Sequence, residues 1–411
     1  MKKINSSFCL IVYLMISQFS IAQTIYQWRG ADRDGKYQES GLLSEWPENG
    51  PELLWTNEML GPGYAAPVTT SDKLLIMGVE DGISTLFAFD LNGNLQWKSP
   101  NGKSFVGDGF SARFPGARST PTVVGDMVYA TSGTGRLACF SLNTGKELWA
   151  VDMVNDLKGY MNEFSYAESV VTDDNAVYCF PGGKEISVAK IDRQTGKTIW
   201  TSEATGDTTH FVSPILVNLP SRKVFVSTSR HYVFGVDCET GALLWKYDIA
   251  IRHDGDHANT PVYQAPYLYV ITNDDNGKGA IKLELLPDGS GVREVWTNKA
   301  VKNDMGGYIL HDNKLFVTTE NKKLNVLDPE TGTVLEEARS TFGGTIFADN
   351  KFIVYGTNGD VVLFNYEDDK LTQGGSFKIT TGSQEHFAHP VVDNGVLYIR
   401  HGEALMAYKI K

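Results

Sequence analysis

Asp192-Arg193-Gln194-Thr195-Gly196-Lys197-Thr198-Ile199-Trp200 is the stretch on which the fold turns. An Asp side chain accepts hydrogen bonds from amides two and three residues on, and a Gly takes the left-handed conformation that closes the turn. The β-branched and aromatic residues that follow read as a strand. The phrase recurs. Asp237-Cys238-Glu239-Thr240-Gly241 precedes Trp245, and Ser141-Leu142-Asn143-Thr144-Gly145 precedes Trp149. Asp90-Leu91-Asn92-Gly93 precedes Trp97 and is one residue shorter. Asp328-Pro329-Glu330-Thr331-Gly332 has Glu336 at the tryptophan position. With Trp296 added, the tryptophans are separated by 52, 51, 45 and 51 residues. Repeats of this length, made of short strands, predict a β-propeller with one repeat per blade. The turn acids are then structural, and each tryptophan is expected to be largely buried between blades.

Between the turns lie short runs rich in Val, Ile, Tyr and Phe. Thr122–Val124 and Met127–Ala130 flank the Gly125-Asp126 turn, and Val391–Ile399 repeats the pattern around Asn394-Gly395. Seven repeats start near Ala66, Ser119, Ala167, Val212, Asn259, Asp304 and Phe342. The segment from His389 supplies three more strands without a fourth, while Pro51-Glu52-Leu53-Leu54-Trp55 is an orphan outer strand near the other end. Pairing the two removes the free sheet edges. The expected fold class is all-β: eight four-stranded antiparallel blades, closed by strand 51–55 against the C-terminal blade.

The turn-and-tryptophan repeat resembles the pyrroloquinoline quinone (PQQ) type of propeller repeat over residues 51–411. A closer resemblance, to short secreted bacterial PQQ-like propellers, rests on Gln27-Trp28-Arg29-Gly30, Arg33-Asp34-Gly35, Trp46-Pro47, Arg118-Ser119-Thr120-Pro121, Tyr166-Ala167-Glu168-Ser169, Pro181-Gly182-Gly183 and His389-Pro390. That superfamily includes quinoprotein dehydrogenases and the barrel-assembly lipoprotein propeller BamB.

Met1-Lys2-Lys3, the apolar run Phe8–Phe19 and Ser20-Ile21-Ala22 read as a signal peptide cleaved near Ala22. The expected organisation is therefore signal peptide 1–22, N-terminal arm 23–50 and propeller 51–411, in a secreted or periplasmic protein. The mature chain is expected to carry no integral membrane segment. Cys9 lacks the small residues that precede a lipid-modified cysteine, which separates this chain from BamB. Cys139, Cys179 and Cys238 are odd in number, so at least one is free. The formal charge of −12 argues against nucleic acid as a partner. The arm, with Trp28, Arg29, Arg33 and Trp46, is expected to pack on the blade surface.

A propeller brings the loops leading into its inner strands to one mouth of the channel. The repeat alignment puts Tyr64, Arg113, Arg118, Tyr166, Glu168, His210, Asn259, Asp304, His386 and His389 there. Matching slots of a purely structural repeat look alike, and these differ and are polar. They are therefore the candidate binding residues. Ser119, Ser169, Ser213 and Thr260 beside them suit backbone capping.

The resemblance implies PQQ with calcium as a cofactor, calcium being held by Glu, Asn and Asp. Glu168, Asn259 and Asp304 supply those residue types. The adjacent cysteine pair and long insertions of the quinoprotein enzymes are missing. A second metal-ligand pattern is His253, Asp254, Asp256 and His257, although an H-x-x-x-H pair is a metal signature on a helix and this is a Gly-containing loop. No nucleophile elbow, P-loop or CxxC occurs. The leading expectation is a propeller binding a small molecule, glycan or protein partner at its mouth. The alternatives are a quinoprotein alcohol or sugar dehydrogenase, and a polysaccharide lyase or hydrolase using Tyr64, Tyr166, His210 and His386 as acid and base.

Overall fold

The computed structural model describes residues 24–249, 257–273 and 277–411. The leader 1–22 and the loop residues His253, Asp254 and Asp256 lie outside them.

The repeat phrase does in space what its chemistry requires. Asp192 Oδ1 accepts from the amides of Gln194 and Thr195 at 3.1 and 2.8 Å. Asp237 Oδ1 accepts from Glu239 and Thr240 at 2.8 and 2.9 Å. Gly196 closes its turn at φ +73°. Each turn joins the third strand of a blade to its outermost strand.

The strands form eight antiparallel blades of four. Numbered from the first inner strand, blade 1 runs from Val68–Thr69 to Leu95–Lys103, and blade 2 from Thr122–Val124 to Glu147–Asp152. Blade 3 begins at Val171–Thr172, blade 4 at Ile215–Asn218, blade 5 at Val262–Gln264, blade 6 at Tyr308–His311 and blade 7 at Gly343–Ala348. Blade 8 takes three strands from the C-terminus and its outer strand, Glu52–Asn57, from the N-terminal side. That strand pairs with Ala404–Lys409, Glu52 opposite Lys409 and Asn57 opposite Leu405, with a bulge at Leu54.

Middle strands are covered on both faces by neighbouring blades. Leu74–Met77, Leu137–Phe140 and Leu397–Arg400 are therefore buried without alternation. Outer strands such as Val334–Arg339 are mostly exposed.

The tryptophans join blade to blade. Trp97 Nε1 donates to Leu142 O at 3.0 Å, Trp149 to Arg193 O at 3.0 Å, Trp200 to Cys238 O at 3.2 Å and Trp296 to Pro329 O at 2.9 Å. Trp55 does the same to Leu91 O at 3.0 Å across the closure. Each ring lies against the turn glycine of the next blade, as Trp149 does on Gly196. As expected, the rings are largely covered: Trp97, Trp149, Trp200 and Trp296 are partly buried and none is exposed. Trp245 is buried but packs on Gly235 of its own blade, because the next blade turns through Leu286-Pro287-Asp288-Gly289 and offers no matching phrase.

Cys139, Cys179 and Cys238 are free and buried. Among the described residues no helix is long and apolar enough to cross a membrane.

The arm departs from expectation. Instead of packing on the blade surface, its first part threads the central channel. Ile25–Tyr26 adds antiparallel to the inner strand of blade 2, Ile25 opposite Val124. Lys36–Tyr37 adds parallel to the inner strand of blade 7, Lys36 opposite Phe347. The inner edges of two blades were unpaired, and a strand inside the ring satisfies them. The later part crosses the far end of blades 7 and 8, where Trp46 packs edge-on against Phe377 at 5.7 Å and Leu43 N bonds Ile410 O at 2.8 Å.

Candidate functional site: a stoppered channel with an aromatic mouth

The plug is held by two arginines. Between its two strands the chain reverses, with Gly35 N bonding Arg29 O at 2.9 Å and Arg33 N bonding Gly30 O at 3.2 Å. Arg29 and Arg33 both sit in the left-handed region, at φ 60° and 59°. That conformation costs a non-glycine residue about 1 kcal/mol or more. Buried hydrogen bonds offset it. Arg29 donates to Tyr308 O at 2.9 Å and Thr345 O at 3.4 Å and lies 3.3 Å from His389 Nδ1, reaching blades 6 and 7 and the loop into blade 8. Arg33 donates to Ser169 O and Val170 O, at 2.5 and 3.0 Å, at the start of blade 3.

Trp28 stands at the tip of the plug. Its Nε1 donates to Thr260 Oγ1 at 3.0 Å, and its ring meets His389 edge-on at 4.6 Å. Above it lies a cavity of about 290 Å³, lined from the leading loops of blades 1 to 6 and 8. The lining is aromatic: Trp28, Tyr64, Phe110, Phe114, Phe164, Phe211 and Phe387, with Met305, Arg118, Asp304 and His389 among the other residues. The rings form one arc. Tyr64 meets Phe387 at 5.4 Å, Phe387 meets Phe114 at 6.3 Å, and Phe114 meets Phe164 at 6.1 Å. Phe164 meets Phe211 at 6.0 Å, and Phe211 meets His210 at 4.7 Å. Phe110 adds an exposed ring, 5.4 Å from Phe114.

Tyr64, Arg118, Asp304 and His389 thus line one cavity. Arg118 also builds it. Its guanidinium donates to Gly116 O, Ser165 Oγ and Phe114 O and lies over the rings of Tyr64 and Phe105, and burial lowers it to about 10. Tyr64 Oη donates to Glu385 Oε2 at 3.0 Å. Arg113 is exposed, with its charge over Phe110 and Phe114.

The other candidates are engaged beside or beneath the cavity. Tyr166 Oη donates to Pro181 O at 2.8 Å. His210 stacks on His257, ring centres 4.5 Å apart and planes 3° apart. His386 stacks on His401 at 3.7 Å, with Tyr355 Oη at 2.5 Å from its Nδ1. Burial lowers all three candidate histidines: His386 to about 4, and His210 and His389 well below the usual value, helped by His401, His257 and Arg29 respectively. They present neutral rings at pH 7. Ser169 Oγ accepts from Thr120 N and Ser213 Oγ from Ser169 N, at 2.8 and 3.0 Å, joining blades as capping groups.

The oxygen set does not fit calcium with a quinone. Calcium takes six to eight converging oxygens. Asn259 Oδ1 accepts from Gly307 N–H at 2.9 Å while its amide donates to Asn303 O and Ile271 O, at 2.7 and 3.1 Å. Glu168 directs Oε2 to Phe180 N–H at 2.8 Å, and burial raises its carboxyl to about 8. The channel beneath is filled by Trp28, Arg29 and Arg33. Of the second metal pattern only His257 lies among the described residues, its Nε2 at 2.9 Å from Ser229 O. No group of three His, Cys, Asp or Glu able to hold a metal occurs among the described residues.

The aromatic arc was missed in the sequence. Its signal is a phenylalanine beside the polar slot in four leading loops: Phe114 before Arg118, Phe164 before Tyr166, Phe211 after His210 and Phe387 after His386.

Comparison with known proteins fits this architecture. The family profile described as outer membrane protein assembly factor BamB matches residues 84–338. The protein of that name from Bordetella pertussis is 28% identical over 177 residues, 41% of this chain and 40% of its own length, so the match spans less than half of that relative. An uncharacterised Rickettsia conorii protein is 22% identical over 340 residues, 69% of this chain and 76% of its own length. Among solved structures, BamB from Moraxella catarrhalis superposes with TM-score 0.58 at 13% identity, covering 84% of this chain and 94% of that one. A europium-containing methanol dehydrogenase superposes with TM-score 0.66 at 12% identity, covering 93% and 90%. At such identities the likeness is one of fold.

Proposed function

Because this chain belongs to the outer membrane protein assembly factor BamB family, we propose that it is a secreted or periplasmic binding propeller whose mouth receives an apolar side chain of a protein partner. One observation carries the reading: the continuous arc of rings from Tyr64 to His210 around a cavity closed beneath by Trp28. Aromatic faces bury large areas with little loss of side-chain freedom, and convergent rings in a concavity suit an apolar group. The exposed Phe110 at the rim extends that surface outward. A family described as an outer membrane protein assembly factor favours a protein over a glycan. Tyr166 is engaged with Pro181, His210 with His257, and His386 with His401 and Tyr355, which favours binding over acid–base chemistry on a sugar.

The test uses phenylnaphthylamine, an apolar dye that brightens on burial. Wild-type protein should bind it. Phe164→Ala and Phe211→Ala should each weaken binding about tenfold, a loss of about 1.4 kcal/mol. The tripeptide Ala-Phe-Ala should displace the dye where Ala-Ala-Ala does not. Equal binding by wild type and both variants, or no binding at all, rejects the reading.

A further inference from the structure

The walls of the mouth come from the blades, but its floor does not. Trp28 belongs to the N-terminal plug, and its indole is the one lining group at the tip of a segment that enters the channel from the far end. Its position is fixed three ways. The indole N–H is bonded to Thr260, the ring edge meets His389, and the next residue, Arg29, is anchored to carbonyls of blades 6 and 7. A floor tied to the scaffold at this many points sets a depth rather than adapting to the ligand.

We propose that Trp28 is the specificity-determining residue of the mouth pocket, acting as a depth stop that admits short apolar groups and excludes long rod-like ones. The inference rests on the mouth being a binding site. A cavity of about 290 Å³ lies at the small end of ligand pockets and has room for one bulky apolar side chain. Removing the indole deepens the pocket by the volume of the ring, down to the anchored Arg29. The blade-borne arc of Tyr64, Phe114, Phe164, Phe211 and Phe387 is untouched by that change, so affinity for short groups and the length limit are separable properties.

The full chain is titrated with two apolar dyes, the compact phenylnaphthylamine and the elongated diphenylhexatriene. Wild type should bind the compact dye at least about tenfold more tightly than the long one. Trp28→Ala should erase most of that preference by gaining affinity for the long dye. Trp28→Phe should lie between, since a ring remains but its hydrogen bond is lost. Thr260→Val removes only the partner of the indole N–H, and it should raise long-dye affinity about threefold while leaving the compact dye unchanged. This variant decides the matter should Trp28→Ala fail to fold. An unchanged ratio of the two affinities in Trp28→Phe and Thr260→Val overturns the depth stop while leaving the mouth a binding site. Absence of compact-dye binding in wild type overturns the mouth reading and the depth stop with it.

Discussion

Arg33 and Glu168 are buried titratable groups that interact beneath the mouth. Burial raises the Glu168 carboxyl to about 8 and lowers Arg33 to about 9, and their mutual attraction limits both shifts. Each also has a buried atom without a partner, Glu168 Oε1 and Arg33 Nε. The carboxyl binds its proton more tightly folded than unfolded, where its pKa is about 4.3. Stability from this group is therefore greatest at low pH and falls as pH rises from about 4.3 to about 8. Arg33, lowered to about 9, stays mostly charged through that window and adds little slope below pH 8. Glu168→Gln keeps an oxygen for the Phe180 amide and removes the titration. Its stability relative to wild type should increase between pH 5 and pH 8.5 by about 1 kcal/mol or more. Urea midpoints at several pH values measure this, and a pH-independent difference would show that Glu168 is ionised throughout.

At the scale of the element, the unit of cohesion is a tryptophan on one blade and a glycine turn on the next. Trp149 is half-buried, so Trp149→Ala should cost roughly 2 kcal/mol, below the 3–5 kcal/mol of fully buried aromatics. A Cβ on Gly196 would stand 2.7 Å from Cδ2 of Trp149, at φ +73°. Gly196→Ala should therefore destabilise through both clash and backbone strain. In the Trp149→Ala background the clash disappears. The double variant should be more stable than the sum of the single losses by about 1 kcal/mol. Strict additivity in a double-mutant cycle would mean that the ring does not bear on the turn.

For the whole molecule, two N-terminal segments do two different jobs. Glu52–Asn57 completes the eighth blade, and residues 25–37 stopper the channel. A chain beginning at residue 51 should keep the ring, with a modestly lowered melting temperature. A chain beginning at residue 58 exposes the edge of Ala404–Lys409 and should melt much lower and self-associate. Calorimetry and gel filtration separate the cases. Equal melting and a monomeric state in the shorter chain would remove closure from the account of stability.

The repeat phrase was enough to reach the all-β propeller, the eight blades and the closing strand. Asp192, Gly196 and Trp200 act through turn chemistry within nine residues, and local chemistry of that kind is written in order along the chain. The repeat alignment likewise located Tyr64, Arg118, Asp304 and His389, because pseudo-symmetry turns a slot in the repeat into a place in the ring. It did not tell which polar slots were already engaged. Asn259, Tyr166 and Glu168 are held by backbone groups of Asn303, Pro181 and Phe180, and those bonds depend on how the loops fold over the blades. Nor did it place the arm. Trp28, Arg29 and Arg33 lie outside every repeat, so no periodicity locates them. Only the closed ring creates the channel, its unpaired inner edges and the carbonyls that draw two arginines inside, and with them the floor of the mouth.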